Sequence, residues 1–327
     1  MLVDKYNRKL SKFLCKSLSK LHDKPLPPST EREKDLIREL RAVFNKIPVM
    51  GATGCSASEH EWIENANRLR NLILDDDPRE FLRWQVISGT MFAKYASYVE
   101  TELKYLKTRL DWKIRWSTAI EESSVGHPMP YWRCPHSSGN LIHHAYHLAQ
   151  FERKTDFAAN SINFIFEFGG GYGSMCRLLH NLGFEGRYVL FDLAPFSALQ
   201  EFFLKSIGIT VRSADTFKTA KRGVICISDF EQLQAILSDR FEGSDSMFIA
   251  TWSISEAPVT VRNSILPIVS AFNEFLIAYQ HQFQGVDNIA FFEEWKASHR
   301  DIEWYEWEIE HMTGNRYLVG SRKADYR

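Results

Sequence analysis

Apolar and polar residues alternate along this chain with two periods, and the period changes near residue 160. From Leu2 to Leu21 the apolar positions Val3, Tyr6, Leu10, Phe13, Leu14, Leu18 and Leu21 recur at helical spacing, with Lys5, Lys9, Lys12, Lys16 and Lys20 between them. The spacing predicts an amphipathic helix with one greasy and one basic face. Packing on the rest of the chain is the favoured reading of that face, ahead of an anionic membrane surface. Pro25, Pro27 and Pro28 stop the helix. Further helices are predicted over 30–46, 58–74 and 78–122, so residues 1–125 read as an all-helical cap. Residues 126–155 form a connecting segment. It opens with Val125-Gly126-His127-Pro128 and a run of Pro, aromatic and His residues to His136, read as a linker or binding loop. A helix over 138–151 follows, carrying His143, His144 and His147. Two histidines at i and i+4 can share a metal, but no acidic or cysteine partner stands near them in sequence. Packing or hydrogen bonding is the expected role, and no metal site is expected.

From Ile162 onward short apolar runs alternate with helical patterns, the signature of a largely parallel sheet over residues 156–327. The first strand ends at Glu167, its helix runs from Ser174 to Leu182, and the second strand is Tyr188 to Phe191. For the third strand Val224 to Ile227 is preferred over Ile209 to Val211, with a helix from Glu231 to Leu237. Met247 to Trp252 and Phe275 to Ala278 are the fourth and fifth. A closing hairpin pairs 302–311 with 316–321 around Thr313-Gly314-Asn315. The fold class expected is α/β, a Rossmann-like sheet with a terminal antiparallel hairpin, preceded by the helical cap.

The turn after the first strand carries the chemistry. Glu167-Phe168-Gly169-Gly170-Gly171-Tyr172-Gly173 is a glycine-rich strand-to-helix turn, where backbone amides can approach a nucleotide-like ligand. A dinucleotide fingerprint needs G-x-G-x-x-G, and counting from Gly169 and Gly171 its third glycine falls on Ser174. The glycines run G-x-G-x-G instead. Asp192, ending the second strand, is placed to accept both hydroxyls of a ribose, because a carboxylate offers two acceptors to adjacent donors. Asp229 and Phe230, after the third strand, would give an adenine an edge contact and a face contact; a helix N-cap at Ser228 or Asp229 fits equally well.

Charge and cysteine content narrow the partners. Across 327 residues, 40 Lys plus Arg face 41 Asp plus Glu, so no global field recruits nucleic acid. Five cysteines without C-x-x-C spacing argue against a secreted disulfide framework, and a cytoplasmic setting is expected. No apolar run is long enough to span a bilayer, and no signal-peptide pattern opens the chain.

The acid-preceded G-x-G-x-G turn resembles the S-adenosylmethionine (SAM) loop of class I methyltransferases, which implies that Glu167 faces the amino group of the methionine moiety. A narrower resemblance covers roughly residues 120–323. The turn from Glu167 to Gly173, Phe191-Asp192-Leu193, Ser253-Ile254-Ser255-Glu256 and the closing stretch Glu310 to Gly320 are similar to a family of sugar O-methyltransferases. Ala257 stands where that family has methionine. The resemblance implies SAM bound by Glu167, Gly169, Gly171, Tyr172, Gly173, Asp192, Asp229 and Phe230, and a sugar or glycan as methyl acceptor. A sugar hydroxyl needs a base to take its proton. Ligands gather at the carboxyl ends of parallel strands, which selects Glu256, His281 and His311. Tyr131, Trp132, Trp295, Trp304 and Trp307 are candidates to pack on a sugar ring. Methylation of another small molecule or a protein, a non-catalytic binding fold and a nicotinamide oxidoreductase are the alternatives; a homo-oligomer is left open.

Overall fold

The computed structural model describes residues 15–51, 57–93, 96–155, 158, 161–238 and 245–323. Most of the amphipathic helix predicted over 2–21 lies outside the described residues. The later half folds around seven strands: β1 (Phe164–Phe168), β2 (Arg187–Phe191), β3 (Gly223–Ile227), β4 (Ser246–Thr251), β5 (Glu274–Gln280), β6 (Ile302–Glu308) and β7 (Asn315–Arg322). They stand in the order β6-β7-β5-β4-β1-β2-β3. β1 to β5 are mutually parallel, and β7 runs antiparallel to both β5 and β6. This is the Rossmann-like sheet of the class I methyltransferase fold. The strand order turns back between β1 and β4, the kind of switch point at which open α/β sheets bind ligands.

Among the described residues nine helices have eight or more residues: α1 (Glu31–Lys46), α2 (Ala57–Asp75), α3 (Val99–Thr108), α4 (Gly139–Thr155), α5 (Ser174–Asn181), α6 (Ala194–Ser206), α7 (Phe230–Ser238), α8 (Val259–Val269) and α9 (Asn288–Ala297). Alternation along the buried strands divides the core in two. Phe164, Phe166, Val189, Phe248 and Ile277 face α7, α8 and α9. Ile165, Tyr188, Leu190, Ile249 and Leu276 belong to the opposite cluster, with α4, α5, α6 and the cap residues Leu40, Phe44, Leu69, Ile73, Leu103 and Leu106. Residues on both sides of the boundary expected at 125 therefore share one apolar cluster. The cap is the cover on one face of the sheet.

Two expectations change. Thr30 does start α1 with a capping box, its Oγ1 accepting from Glu33 N at 3.2 Å while Glu33 Oε2 accepts from Thr30 N at 2.7 Å. The helices expected over 78–122, however, break into a 3-10 turn (Pro78–Arg83), a short helix (Gln85–Ser88), α3 and a π turn (Trp112–Trp116). Extended backbone at Trp84 separates the first two pieces. The segment read as a linker or binding loop is packed instead. Leu82 N donates to Gly126 O at 3.0 Å, and a Cβ on Gly126, whose φ is +83°, would run into the Phe81 ring. Pro130–Tyr131 and Cys134–Ser138 then pair as a small hairpin that buries Tyr131.

Candidate active site

The carboxyl ends of β1 to β4 open into a cavity of about 950 Å³, near the top of the roughly 300–1,000 Å³ that ligand pockets span. The glycine turn forms its floor. Gly169, Gly171 and Gly173 all have left-handed φ, at +70°, +59° and +93°. A Cβ on Gly169 would overlap the Cβ of Ser253, whose hydroxyl donates to Phe168 O. The turns after β1 and β4 are therefore clasped together, with no room for a side chain between them. Gly170, which the G-x-G-x-G pattern leaves free, is equally constrained: its Cβ would overlap Leu190 Cδ2. Tyr172 lines the cavity with its ring held in the cap core, 5.2 Å from Phe203 and 5.7 Å from Phe81, and its hydroxyl accepts from Asn140 Nδ2 at 3.0 Å.

Two acids flank this turn. Burial pushes the Glu167 carboxyl up to about 7, against the pull of the Tyr188 hydroxyl, which donates to Oε2 at 2.7 Å. Asp192 Oδ2 accepts from Gly171 N at 3.2 Å and Gln200 Nε2 at 3.0 Å, and Oδ1 from Leu193 N at 2.8 Å. Desolvation outweighs those bonds and raises it also to about 7. Each group ionises in the unfolded chain at a lower pH than in the folded one. Between about pH 4 and 7 the folded state therefore binds more protons, and its stability falls as pH rises through that window. Thermal unfolding of the ligand-free protein at pH 5 and pH 7.5 checks this against Glu167→Gln, which removes one of the two groups and should flatten the slope. An unchanged slope would show that Glu167 does not titrate in that range.

At the end of β3, Ser228 and Phe230 line the cavity, with Phe191 opposite at 6.5 Å between ring centres. Asp229 does not: its Oδ1 accepts from Gln232 N at 2.7 Å and caps α7. At the end of β4, Trp252 adopts φ +65°, a conformation that bulky residues rarely hold without a constraint. Its N–H donates to Ala278 O at 2.6 Å and its indole Nε1 to Asn315 Oδ1 at 2.7 Å. Glu256 closes the helical turn Ser253–Glu256 and lines the cavity. Burial raises its carboxyl to about 7, against a 3.3 Å bond from Gln280 Nε2.

The other two base candidates lie elsewhere. β5 continues through Gln280, which carries His281 past the rim, where its Nε2 pairs with Glu308 at 2.9 Å on an exposed edge. His311 lies in an adjoining cavity of about 450 Å³ with Ser97, Thr101, Thr313 and Asn315, which shares Tyr98 and Met312 with the first. The aromatic residues on the main cavity are Trp62, Tyr98, Tyr172, Phe230 and Trp252, among others. Tyr131, Trp132, Trp295, Trp304 and Trp307, singled out from sequence, do not line it; Trp295 and Trp304 pack against Phe275 on the far face of the sheet.

α4 supplies what sequence reasoning missed. His143 and His144 both line the cavity, and the acid absent from their sequence neighbourhood arrives from α3: Glu102 Oε1 lies 2.7 Å from His143 Nδ1 and 2.9 Å from His311 Nε2. Glu102 is fully buried. Burial pulls its carboxyl up, but the two imidazoles prevail and hold it below the ordinary range. Desolvation lowers His144 to about 3, and His147, whose Nδ1 meets the Tyr317 hydroxyl, lies well below normal. Both are neutral. Among the described residues no group of three or more His, Cys, Asp or Glu is arranged to hold a metal ion, and no helix is long and apolar enough to cross a membrane.

No protein-family model matches the chain, and no curated protein is significantly similar to it. Solved structures do resemble it. Magnesium protoporphyrin IX methyltransferase from Synechocystis PCC 6803, solved with bound SAM, is 10% identical over 79% of this chain and 97% of its own, with a TM-score of 0.39. The Methanococcus jannaschii fibrillarin pre-rRNA processing protein is 14% identical over 50% of this chain and 68% of its own, at a TM-score of 0.35. Precorrin-6y C5,15-methyltransferase from Geobacter metallireducens GS-15 is 12% identical, covering 57% and 89%, also at 0.35.

Proposed function

We propose that this chain is a SAM-dependent O-methyltransferase whose acceptor is a hydroxyl of a sugar or glycan. The observation that carries the reading is the convergence on one cavity of Glu167, the left-handed glycine turn and Asp192, with Ser228 and Phe230 beyond. The residues fit the cofactor. Glu167 and Asp192 are desolvated acids raised to about 7, so a cationic amino group at the first and a ribose diol at the second would each favour the ionised form. Phe230 offers a ring face to adenine, and the close Gly169–Ser253 approach leaves the turn's backbone as the contact surface. When bound, SAM supplies a methyl group already activated on a sulfonium, so the protein's share of the work is to align an acceptor oxygen and remove its proton.

The cavity volume accommodates an acceptor beside the cofactor, and the adjoining cavity adds the hydroxyl and amide groups of Ser97, Thr101, Thr313 and Asn315. That polar lining favours a polyhydroxylated ligand, and a net charge of −1 offers a polyanion no attraction. Incubation with SAM and a panel of nucleotide sugars and free glycans, followed by mass spectrometry, tests the acceptor. Methylated sugar supports it; methylated RNA or protein with no methylated sugar would contradict it. Glu256 is assigned to the acceptor side, where its carboxylate receives a hydroxyl. Glu256→Gln should lower turnover about tenfold, the loss expected when a charged hydrogen bond becomes neutral, with S-adenosylhomocysteine affinity unchanged in calorimetry. Unaltered turnover would remove Glu256 from the acceptor site.

A further inference from the structure

The buried carboxylate of Glu102 links the main cavity to its smaller neighbour through one oxygen. Its Oε1 meets His143 Nδ1 on the main cavity and His311 Nε2 in the adjoining one, while Oε2 is buried with no hydrogen-bond partner among the described residues. An ionised carboxylate is acceptor-only. Both nitrogens that touch Oε1 must therefore carry hydrogen, which fixes the tautomer of each ring. With Nδ1 committed to Glu102, Nε2 is the nitrogen of His143 left to accept a proton.

The ring around that nitrogen is held from several sides. Trp252, with its left-handed backbone, stacks on His143 at 5.5 Å with the planes 21° apart, and Tyr98 packs at 5.2 Å. The titratable groups facing it are Glu102 from α3, Tyr98 just before α3, His144 and His147 on α4 itself, and His311 from the β6–β7 hairpin. Burial keeps Tyr98 protonated and the two α4 histidines neutral, while Glu102 is held ionised. A carboxylate behind an imidazole, with the far nitrogen directed to the reacting group, is the arrangement by which an oriented histidine acts as a base.

We infer that His143 is the proton acceptor of the reaction, positioned by Glu102, with His311 fixing that carboxylate from the adjoining cavity. The inference rests on the methyltransferase reading. In the step the acceptor O–H bond breaks and its proton forms an N–H bond at His143 Nε2. The freed oxygen pair forms the O–CH3 bond, and the C–S bonding pair stays on sulfur, which ends neutral. The imidazolium left on His143 is neutralised in place by Glu102.

Long-range ¹H–¹⁵N spectra of the histidine rings in the full chain near neutral pH test this. In the unliganded protein His143 should carry hydrogen on Nδ1 and none on Nε2; hydrogen on Nε2 would overturn the inference whatever binds. Adding SAM should then displace the His143 Nε2 line relative to S-adenosylhomocysteine, because the two ligands differ by the methyl and its positive charge. The His147 lines serve as the internal reference. Equal His143 lines in the two complexes would place the ring away from the methyl and overturn the inference while leaving the cofactor reading intact. If neither ligand binds in calorimetry, the cofactor reading fails and the base assignment falls with it. Glu102→Asp, one methylene shorter, tests the positioning role: the His143 tautomers should become mixed, and an unchanged Nδ1–H form would show that Glu102 does not set them.

Discussion

Gly169→Ala is expected to destabilise the protein by about 2–5 kcal/mol and to abolish cofactor binding. A left-handed φ of +70° costs an alanine about 1–2 kcal/mol, and overpacking against Ser253 adds about 1–3 kcal/mol. Ser253 has no easy retreat: its hydroxyl is bonded to Phe168 O, and it follows Trp252, whose own backbone is left-handed. Prising the two turns apart would move the floor of the cavity. Gly171→Ala is the control. Its φ of +59° carries the same backbone penalty, but the nearest atom to a Cβ is the flexible Met91 Sδ at 3.3 Å. Differential scanning calorimetry should show a clearly larger fall in Tm for Gly169→Ala than for Gly171→Ala. Equal falls would mean that the clasp between the β1 and β4 turns is not rigid.

Asp192→Ala should weaken S-adenosylhomocysteine binding by about 10- to 100-fold, the equivalent of one charge-assisted hydrogen bond at roughly 1.5–3 kcal/mol. Part of that loss comes from the turn itself, because Gly171 N and Gln200 Nε2 both donate to the missing carboxylate. Asp192→Asn separates the two contributions: it keeps an acceptor for the turn while removing the charge, and it should lose less affinity than the alanine variant. Asp192→Asn should also gain stability relative to the parent as pH rises from about 4 to 7, since it removes a group that ionises reluctantly in the fold. Isothermal titration of the two variants reads the affinities. Binding equal to the parent in Asp192→Ala would place the ribose elsewhere.

How much of this was visible in the chain depends on how local the cause is. The strands were legible because their apolar runs are short, dense and bounded by Gly, Asp or Ser, and each observed strand lies within about two residues of its expected bounds except β6, which ends at Glu308, three residues early. The glycine turn and Asp192 were legible because spacing alone places them at consecutive strand ends. The fragments over 78–122 were not: apolar spacing continues through the region, while the breaks follow from packing beneath the cavity and against Gly126. Asp229 shows the limit of reading a role from a strand end, since capping a helix and contacting a ring ask for the same residue in the same place. The His143–Glu102–His311 group was illegible for a plainer reason. Its members come from α4, α3 and the β6–β7 hairpin, 41 and 209 residues apart across the two hydrogen bonds, and only the fold brings them together. The triplet of histidines on α4 is visible in the sequence, but its acid, Glu102, lies 41 residues from His143.

The central claim is that the turn from Glu167 to Gly173 and Asp192 together bind an adenosyl sulfonium cofactor. Isothermal titration of the full chain with SAM, S-adenosylhomocysteine and NAD tests it most directly. The account predicts saturable one-to-one binding of both adenosyl ligands, weakened in Asp192→Ala, and no binding of NAD. Binding of NAD without either adenosyl ligand, or of none of the three, would contradict it.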